Sequence, residues 1–283
     1  MDSFVLTLSC PDRLGIVHSV TGFLAEHGCN IVDSQQFGDR DTGRFFMRVL
    51  VEGTDDAHGL EALRAAFTPT AEEFAMDWEI DDAHAKPRVV IMVSRQGHCL
   101  NDLLYRWRTG ALPAEIVAVV SNHRDFEDLT TSYGIPFHHI PVTASSKPEA
   151  EQKLLALIDE HHVELVVLAR YMQVLSDTVC ERLPGRIINI HHSFLPSFKG
   201  ARPYLQAHNR GVKLIGATAH YVTANLDEGP IIEQDVARVE HSDGVEQLAA
   251  IGADLECLAL ARAVRWHLEH RVLLDGHKTI VFR

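Results

Sequence analysis

Hydrophobic and polar positions divide the chain into two parts with different rhythms. In the first part, apolar and polar residues partly alternate in three segments, as they do in strands that bury one face: 4–9, 30–37 and 44–51. A helix is predicted after the first of these strands, a second helix over 57–67, and a last strand over 74–80. The order strand, helix, strand, strand, helix, strand predicts a ferredoxin-like domain over residues 1–84.

The first predicted helix lies directly after a strand that stops at Pro11. Residues at helical spacing form its apolar face: Ile16, Val20, Phe23 and Leu24. Asp12 is predicted to cap its amino terminus, because a short carboxylate side chain can accept hydrogen bonds from free backbone N–H groups. Gly28 is predicted to end it, since glycine readily adopts the left-handed conformation found after helices.

The second part begins after a short polar segment, 81–88, whose composition is typical of a linker. Continuous apolar runs follow, as in parallel strands buried on both faces: 89–93, 116–120 and 165–168. An amphipathic segment over 150–160 lies between two of these runs. A long carboxy-terminal helix is predicted from the spacing of Leu248, Ile251, Leu255 and Leu258. Residues 88–283 are therefore predicted to form a Rossmann-like, doubly wound, mostly parallel α/β sheet that binds ligands at the carboxyl ends of its strands.

Charge and composition narrow the classes of function. Lys and Arg number 26 against 39 Asp and Glu, and the net charge of -13 opposes binding to the phosphates of nucleic acid. No apolar run is long enough to span a membrane, and Met1-Asp2-Ser3 lacks the positive residues of a secretory signal. We therefore expect a cytoplasmic protein with no membrane partner. The five cysteines form no Cys-x-x-Cys pair, which favours free thiols.

The 18 histidines include three adjacent pairs: His138-His139, His161-His162 and His191-His192. Adjacent side chains point in different directions on a strand or a helix, so such pairs chelate one ion poorly. The sequence contains no His-x-x-x-His motif either. We therefore expect no bound metal.

The pair His191-His192 differs from the others because it ends a predicted strand over 186–191. Asn189 and His191 are two residues apart and project from the same face of that strand. An amide beside an imidazole at the carboxyl end of a sheet can stabilise an oxyanion in acyl chemistry. A structural asparagine next to a buried histidine is the alternative interpretation.

A polar loop over 223–230 joins two further predicted strands and contains Asp227. A carboxylate in this loop can orient or protonate the imidazole of His191. An ordinary turn is the alternative interpretation of the loop.

Together, these segments resemble the formyltransferase fold family of enzymes that use 10-formyltetrahydrofolate. The resemblance covers about residues 88–283 and rests on Asn189-x-His191, the loop Leu195–Gly200, Thr218-x-His220 and Asp227-x-Gly229-Pro230-Ile231-Ile232. It implies that Asn189, His191 and Asp227 are the catalytic residues. It also implies that the pterin ring is bound by two segments, Arg170-Tyr171-Met172-Gln173-Val174-Leu175 and Ala224-Asn225.

Two features resemble the deformylase branch of that family, in which water takes the place of an amine acceptor. His192 stands where other branches carry proline, and a separate domain precedes the formyltransferase-like part. The segment 94–100 also lacks the Gly-Ser-Asn phosphate cradle of glycinamide ribonucleotide formyltransferases. The resemblance implies hydrolysis of 10-formyltetrahydrofolate to tetrahydrofolate and formate, with folate as substrate and no cofactor. Such a reaction balances one-carbon pools and supplies formate for purine synthesis.

Two other functions stay open at this point. The same three residues can transfer the formyl group to an amine acceptor. A protein that binds folate without catalysis, as a sensor, is the second alternative.

The amino-terminal segment Cys10–Val17 resembles the ACT domains that sense amino acids. The resemblance implies a regulatory domain with methionine and glycine as candidate effectors, bound near Asp12, Gly15 and Ile16. Edge strands of ferredoxin-like domains commonly pair between subunits, so we expect a homo-oligomer.

Overall fold

The computed structural model describes residues 2–54, 59–196 and 203–283, which fall into two compact units. The residues at which the second helix was predicted to begin, 57 and 58, lie outside the described residues. The same holds for residues 197–200 of the loop on which the family resemblance partly rests.

The first unit contains a four-stranded antiparallel sheet and two helices. Its elements are β1 (Ser3–Pro11), α1 (Ile16–Glu26), β2 (Cys29–Asp39), β3 (Arg44–Gly53), α2 (Leu60–Phe74) and β4 (Asp77–Asp82). The strand order is β2-β3-β1-β4, and each neighbouring pair is antiparallel. The ferredoxin-like topology predicted from the sequence is confirmed.

Helix α2 is longer than the sequence pattern predicts. Phe74, which the pattern assigns to the last strand, is the final residue of the helix. Leu63, Phe67, Ala71 and Phe74 are all buried, at the spacing of one helical face. The burial of that face continues the helix past Pro69, and the strand starts later, at Asp77.

The turn before α1 depends on Gly15, and the predicted cap at Asp12 is wrong. Gly15 is the N-cap residue, with φ 101°, and has no side chain with which to cap the helix. Glycine adopts a positive φ at little cost, whereas other residues are strained there. The predicted end of the helix is confirmed, since Gly28 has φ 70° and follows the last helical turn.

The second unit contains a seven-stranded sheet, and helices lie in the segments that connect its strands. Its elements are β5 (Arg88–Val93), α3 (His98–Arg108), β6 (Glu115–Ser121), α4 (Glu127–Ser132), β7 (Phe137–His139), α5 (Lys147–Glu160), β8 (Leu165–Leu168), α6 (Asp177–Arg182), β9 (Ile187–His191), α7 (Pro203–Arg210), β10 (Leu214–Tyr221), β11 (Ile231–Arg238) and α8 (Val245–Leu268). The strand order is β11-β10-β9-β8-β5-β6-β7. Strands β5 to β9 are parallel, and β10 and β11 add two antiparallel strands beside β9. The predicted mostly parallel α/β sheet is confirmed.

His138 and His139 lie in the edge strand β7, where they pair with β6. One detail of the second unit differs from the sequence expectation. Leu258, expected on the buried face of α8, is 39% exposed, whereas Leu248 and Leu255 are buried. Among the described residues, no helix is long and apolar enough to cross a membrane.

The carboxy-terminal residues group differently from the predicted domain division. Residues Glu269–Asp275 and Thr279–Arg283 belong to the first unit, although the sequence analysis assigns them to the second domain. They include most of a hairpin formed by β12 (Val272–Asp275) and β13 (Lys278–Val281). The buried Arg48 of β3 donates to the carbonyl oxygen of Glu269 at 3.0 Å, a contact that joins this segment to the sheet.

Candidate active site

A cleft at the carboxyl ends of β8 and β9 brings the predicted site residues together. It has a cavity volume of about 240 Å³. The three predicted catalytic residues line it, as do the segment Arg170–Leu175 and Ala224. Asn225 is the one residue of the predicted set that is not among its lining residues. In doubly wound sheets this is the edge at which ligands bind.

Two antiparallel strands place four polar side chains on one face of the sheet. Asn189 and His191 lie two residues apart on β9, and β10 places His220 opposite Asn189 and Thr218 opposite His191. Residues directly opposite each other project to the same side. The buried Thr218 hydroxyl donates to the carbonyl oxygen of Ser193 at 2.9 Å. That bond holds the chain that follows His191.

The loop between β10 and β11 carries Asp227 into the cleft. Asp227 has φ 56°, a left-handed conformation that aspartate adopts more readily than most residues. A Cβ atom on Gly229 would collide with the carbonyl oxygen of Tyr221, so the loop requires glycine there. Asp227 Oδ2 lies 3.3 Å from His191 Nδ1, and its Oδ1 lies 3.8 Å from His220 Nε2. The loop therefore brings its carboxylate to both imidazoles.

Hydrogen bonds determine which nitrogen of His220 carries the proton. Its Nδ1 lies 2.8 Å from the carbonyl oxygen of Tyr221, which can only accept, so Nδ1 is the donor. Burial lowers the pKa of His220, and the neutral ring leaves Nε2 as an acceptor. Asn189 Nδ2 donates to this atom at 3.2 Å. His220 thereby orients the Asn189 amide and leaves its second N–H hydrogen for a ligand.

Asp227 contacts one ring nitrogen of His191 and leaves the other nitrogen over. A hydrogen bond from His191 lowers the pKa of the Asp227 carboxyl and outweighs the opposite effect of burial. Asp227 is therefore a carboxylate at neutral pH. His191 Nε2 is buried and has no hydrogen-bond partner among the described residues. Because buried polar atoms are rarely left unpaired, this nitrogen is placed to meet a ligand.

Ser94, the residue that follows β5, holds the segment Arg170–Leu175 by a hydrogen bond. The backbone N–H of Met172 donates to the Ser94 hydroxyl at 2.9 Å. Within the segment, Tyr171 is buried in the core, whereas Met172 and Val174 are each 56% exposed. Large apolar side chains exposed beside a cleft are typical of a ligand-binding surface.

Arg170 also belongs to a buried charged cluster that the sequence analysis missed. Its Nε lies 3.3 Å from Glu256 Oε2, and both side chains are more than nine-tenths buried. His98 Nε2 lies 2.7 Å from the same oxygen, and the Tyr204 hydroxyl donates to the other at 2.8 Å. Burial acts to raise the pKa of Glu256, but the hydrogen bond from His98 and the charge of Arg170 lower it overall. Glu256 is a charged residue on the buried face of α8. This interruption of the apolar pattern is the feature of the sequence that could have indicated the cluster.

Two groups of three side chains of metal-ligand type occur among the described residues: His98, Cys99 and Glu256, and Glu79, Asp81 and His270. In the first group, Arg170 already balances the charge of the carboxylate. In the second, Asp81 forms an ion pair with Arg64 at 3.1 Å. Neither group lines the cleft. The absence of a metal from the reaction stays a prediction.

The predicted effector residues lie in one turn at the start of α1. The side chain of Ile16 is buried in the core of the first unit, and Asp12 is exposed. Gly15 supplies the positive φ between them. Backbone N–H groups at a helix amino terminus can bind a carboxylate, and effector binding in this turn stays a prediction.

Comparison with known families agrees with the division of the chain into two kinds of fold. Residues 87–264 match the family described as formyl transferase, and residues 4–68 match the ACT domain family. The chain is thus a formyl transferase-fold protein with an amino-terminal ACT domain.

Individual relatives narrow this class. A formyltetrahydrofolate deformylase from Corynebacterium sp. (strain P-1) is 56% identical over 279 residues, which cover 99% of this chain and 98% of the relative. Crystal structures of formyltetrahydrofolate deformylases from Pseudomonas syringae pv. tomato and Burkholderia mallei align with TM-scores of 0.97 and 0.95, at 50% and 54% identity. They cover 100% of this chain in both cases, and 95% and 100% of the respective structures. The chain therefore belongs to the formyltetrahydrofolate deformylase family and is an enzyme of the hydrolase class. The family resemblance and the enzyme class expected from the sequence are confirmed.

Proposed function

We propose that this protein hydrolyses 10-formyltetrahydrofolate to tetrahydrofolate and formate. The observation that carries the proposal is the arrangement in the cleft. Asp227 contacts His191 there, and the buried His191 Nε2, beside Asn189, has no partner among the residues that the structure describes. Hydrolysis of a formyl group needs donors aimed at the developing oxyanion and a base that reaches water. The side chains of the cleft offer both.

In this proposal, Asn189 and His191 stabilise the oxyanion. Negative charge develops on the formyl oxygen as water adds to the formyl carbon. The free hydrogen of Asn189 Nδ2 and the Nε2–H of protonated His191 donate to that oxygen, while Asp227 accepts from His191 Nδ1. Donors that are already in position stabilise the charge without a cost of reorientation.

Asp227 is proposed to orient the water and to move its proton. The carboxylate takes one proton from the water as the new C–O bond forms. It then passes that proton to N10 of the folate as the C–N bond breaks, so tetrahydrofolate leaves as a neutral amine. The lowered pKa of Asp227 means that its carboxylate is ionised at the start of the cycle, as a proton acceptor must be.

Water is the proposed acceptor because the loop after β5 lacks the Gly-Ser-Asn phosphate cradle of glycinamide ribonucleotide formyltransferases. Gln96 in this loop and His98, the first residue of α3, are bonded to Arg170 and Glu256 instead. Formyl transfer to an amine and folate sensing without catalysis remain the alternatives, and they predict different products.

Formate release in the absence of any amine separates these functions. We expect the purified protein to convert 10-formyltetrahydrofolate to tetrahydrofolate and formate with no acceptor added. Asn189→Ala should lower kcat by about 100-fold or more, as removal of one oxyanion donor does elsewhere. Formylation of added glycinamide ribonucleotide in place of formate release would contradict hydrolysis, and folate binding without turnover would favour the sensor.

The proposed reaction places the protein in one-carbon metabolism. Its products balance one-carbon pools and supply formate for purine synthesis. The chemistry uses folate as the substrate and requires no cofactor. We further propose a cytoplasmic homo-oligomer.

The ACT domain is proposed to sense an amino acid, with methionine and glycine as candidates. An effector changes activity only if active and inactive states bind it with different affinities. Titration of each amino acid against the full-length protein is expected to change kcat or KM for formate release. Asp12→Ala, in the turn before α1, should shift that response to higher amino acid concentration. If neither amino acid has any effect on the folded protein, this regulatory proposal is wrong.

A further inference from the structure

His192 lies directly after His191 and lines the same cleft, but it takes no part in the contacts described above. Its ring stacks on that of His191, with centroids 4.9 Å apart and planes inclined by 15°. No described residue forms a hydrogen bond with the ring. It also borders a neighbouring cavity of about 290 Å³, lined in part by Phe194 and Tyr204. A polar ring that is held by stacking and has no polar partner in the described part of the chain is available to a ligand in the cleft.

The surroundings of His192 favour its neutral form. Among the described residues, the titratable and charged groups that face it are Arg170 after β8, His191 on β9, Asp227 in the β10–β11 loop, Tyr204 on α7 and Glu256 on α8. Burial and the positive charges of Arg170 and His191 lower the pKa of His192 to about 4, against the opposite effect of the two carboxylates. At neutral pH the ring therefore has one N–H and one nitrogen that can accept.

Arg170 is fixed where its charge acts on His192. Its Nε and Nη2 donate to Gln96 Oε1 at 3.0 and 2.5 Å, and Nε lies 3.3 Å from Glu256 Oε2. Its φ of 64° is unusual for a long side chain, and such conformations persist where the surroundings enforce them. A guanidinium does not lose its charge in a protein, so the repulsion of a second proton on His192 is permanent.

We propose that His192 is a further catalytic residue, whose neutral ring accepts a hydrogen bond from the water that attacks the formyl carbon. The inference rests on the proposed hydrolysis. Asp227 takes one hydrogen of that water, which ends on N10, and the second hydrogen points to the acceptor nitrogen of His192. The second hydrogen stays on oxygen until formic acid is released and ionises, so His192 ends the cycle neutral.

Two substitutions separate the effect of the hydrogen-bond acceptor on His192 from the effect of its stacking on His191. His192→Phe keeps a ring that can stack on His191 but cannot accept from water, whereas His192→Asn keeps an acceptor. We expect His192→Phe to lower kcat for formate release by about 100-fold, the lower end of the range for a positioned proton acceptor. KM should change little, and His192→Asn should be at least about tenfold more active than the phenylalanine variant. The matched control is His208→Phe on the exposed side of α7, which should keep the wild-type kcat.

Chemical rescue gives a readout that a structural role would not move. In His192→Gly, added imidazole has space in the neighbouring cavity and should restore part of the lost kcat. The rescue should rise with pH through about 6–7, where free imidazole becomes neutral. The wild-type protein should lack that dependence, because the pKa of His192 is near 4.

The outcomes are distinguishable from a failure of the proposed function. If the wild-type protein releases no formate, hydrolysis itself is wrong. If the wild type is active and His192→Phe keeps its kcat, or if folded His192→Gly is not rescued, the role of His192 is overturned. Should circular dichroism show that His192→Gly is unfolded, the comparison of His192→Phe with His192→Asn decides.

Discussion

Asp227→Asn is expected to lower kcat for formate release by about 30- to 1,000-fold, equivalent to ~2–4 kcal/mol of transition-state stabilisation. The amide keeps the shape of the carboxylate but cannot take a proton from water, and it removes the negative charge that lies 3.3 Å from His191 Nδ1. Folate binding should change little, because the exposed apolar side chains of the Arg170–Leu175 segment are untouched. Steady-state assays of formate release and a binding titration check the two expectations.

The pH dependence of the wild-type enzyme provides a second check on Asp227. Its carboxyl pKa is lowered from the ordinary value of 3.8 by the hydrogen bond from His191. The carboxylate is therefore present above that value, and its contribution should be lost only as pH falls through the lowered pKa. Asp125→Asn is the matched control, since Asp125 is an exposed carboxylate of the same unit. Near wild-type formate release by Asp227→Asn would remove Asp227 from the mechanism.

The strands of the second unit could be predicted closely because their pattern has a single physical cause. Val89–Val93 and Leu165–Leu168 are apolar without interruption, and both lie inside a sheet that is covered on its two faces. Helix boundaries were harder to predict. Burial of Ala71 and Phe74 extends α2 past Pro69, and tertiary packing of this kind overrides local preference.

The cap of α1 shows a different limit of prediction. Asp12 has the chemistry of a cap, but the chain reverses three residues later at Gly15, where φ is 101°. A residue preference describes what a side chain can do, whereas the backbone path decides which residue stands at the helix end. The carboxy-terminal hairpin had no local signal at all, because its grouping with the first unit depends on Arg48 and other residues far away in sequence.

The candidate site also contains residues that the sequence could predict and residues that it could not. The period of two on β9 was sufficient to place Asn189 and His191 on one face. Asp227 is 36 residues beyond His191, so the loop pattern left an ordinary turn open and only the resemblance to a known family indicated that the two residues share a site. His220 was overlooked as a residue with a role, although it faces Asn189 across the strand pair and orients its amide. Register between strands is set by the folded sheet, and one sequence alone does not reveal it.

Glu256→Ala is expected to lower the free energy of unfolding of the second unit by about 3–5 kcal/mol, because it leaves the buried charge of Arg170 without its partner. Glu256 also accepts from Tyr204 and contacts His98, so the substitution leaves a buried hydroxyl and an imidazole without their acceptor. Urea unfolding followed by tryptophan fluorescence measures the change. Trp107 and Trp266 lie in the second unit, and Trp78 lies in the first.

The sign of the pH effect distinguishes this buried ion pair from simple loss of packing. The pKa of Glu256 in the folded protein is lower than its ordinary value of 4.5, so its stabilising effect is complete above that value and declines as pH falls through the lowered pKa. The difference in free energy of unfolding between wild type and Glu256→Ala should therefore become smaller in acid.

The double variant Arg170→Met, Glu256→Ala should be more stable than Glu256→Ala alone, since the unpaired charge is gone. Glu246→Ala, at an exposed position in the first turn of α8, is the matched control and should cost less than about 1 kcal/mol. A double variant as unstable as Glu256→Ala would show that lost volume, not lost charge pairing, makes Glu256 necessary.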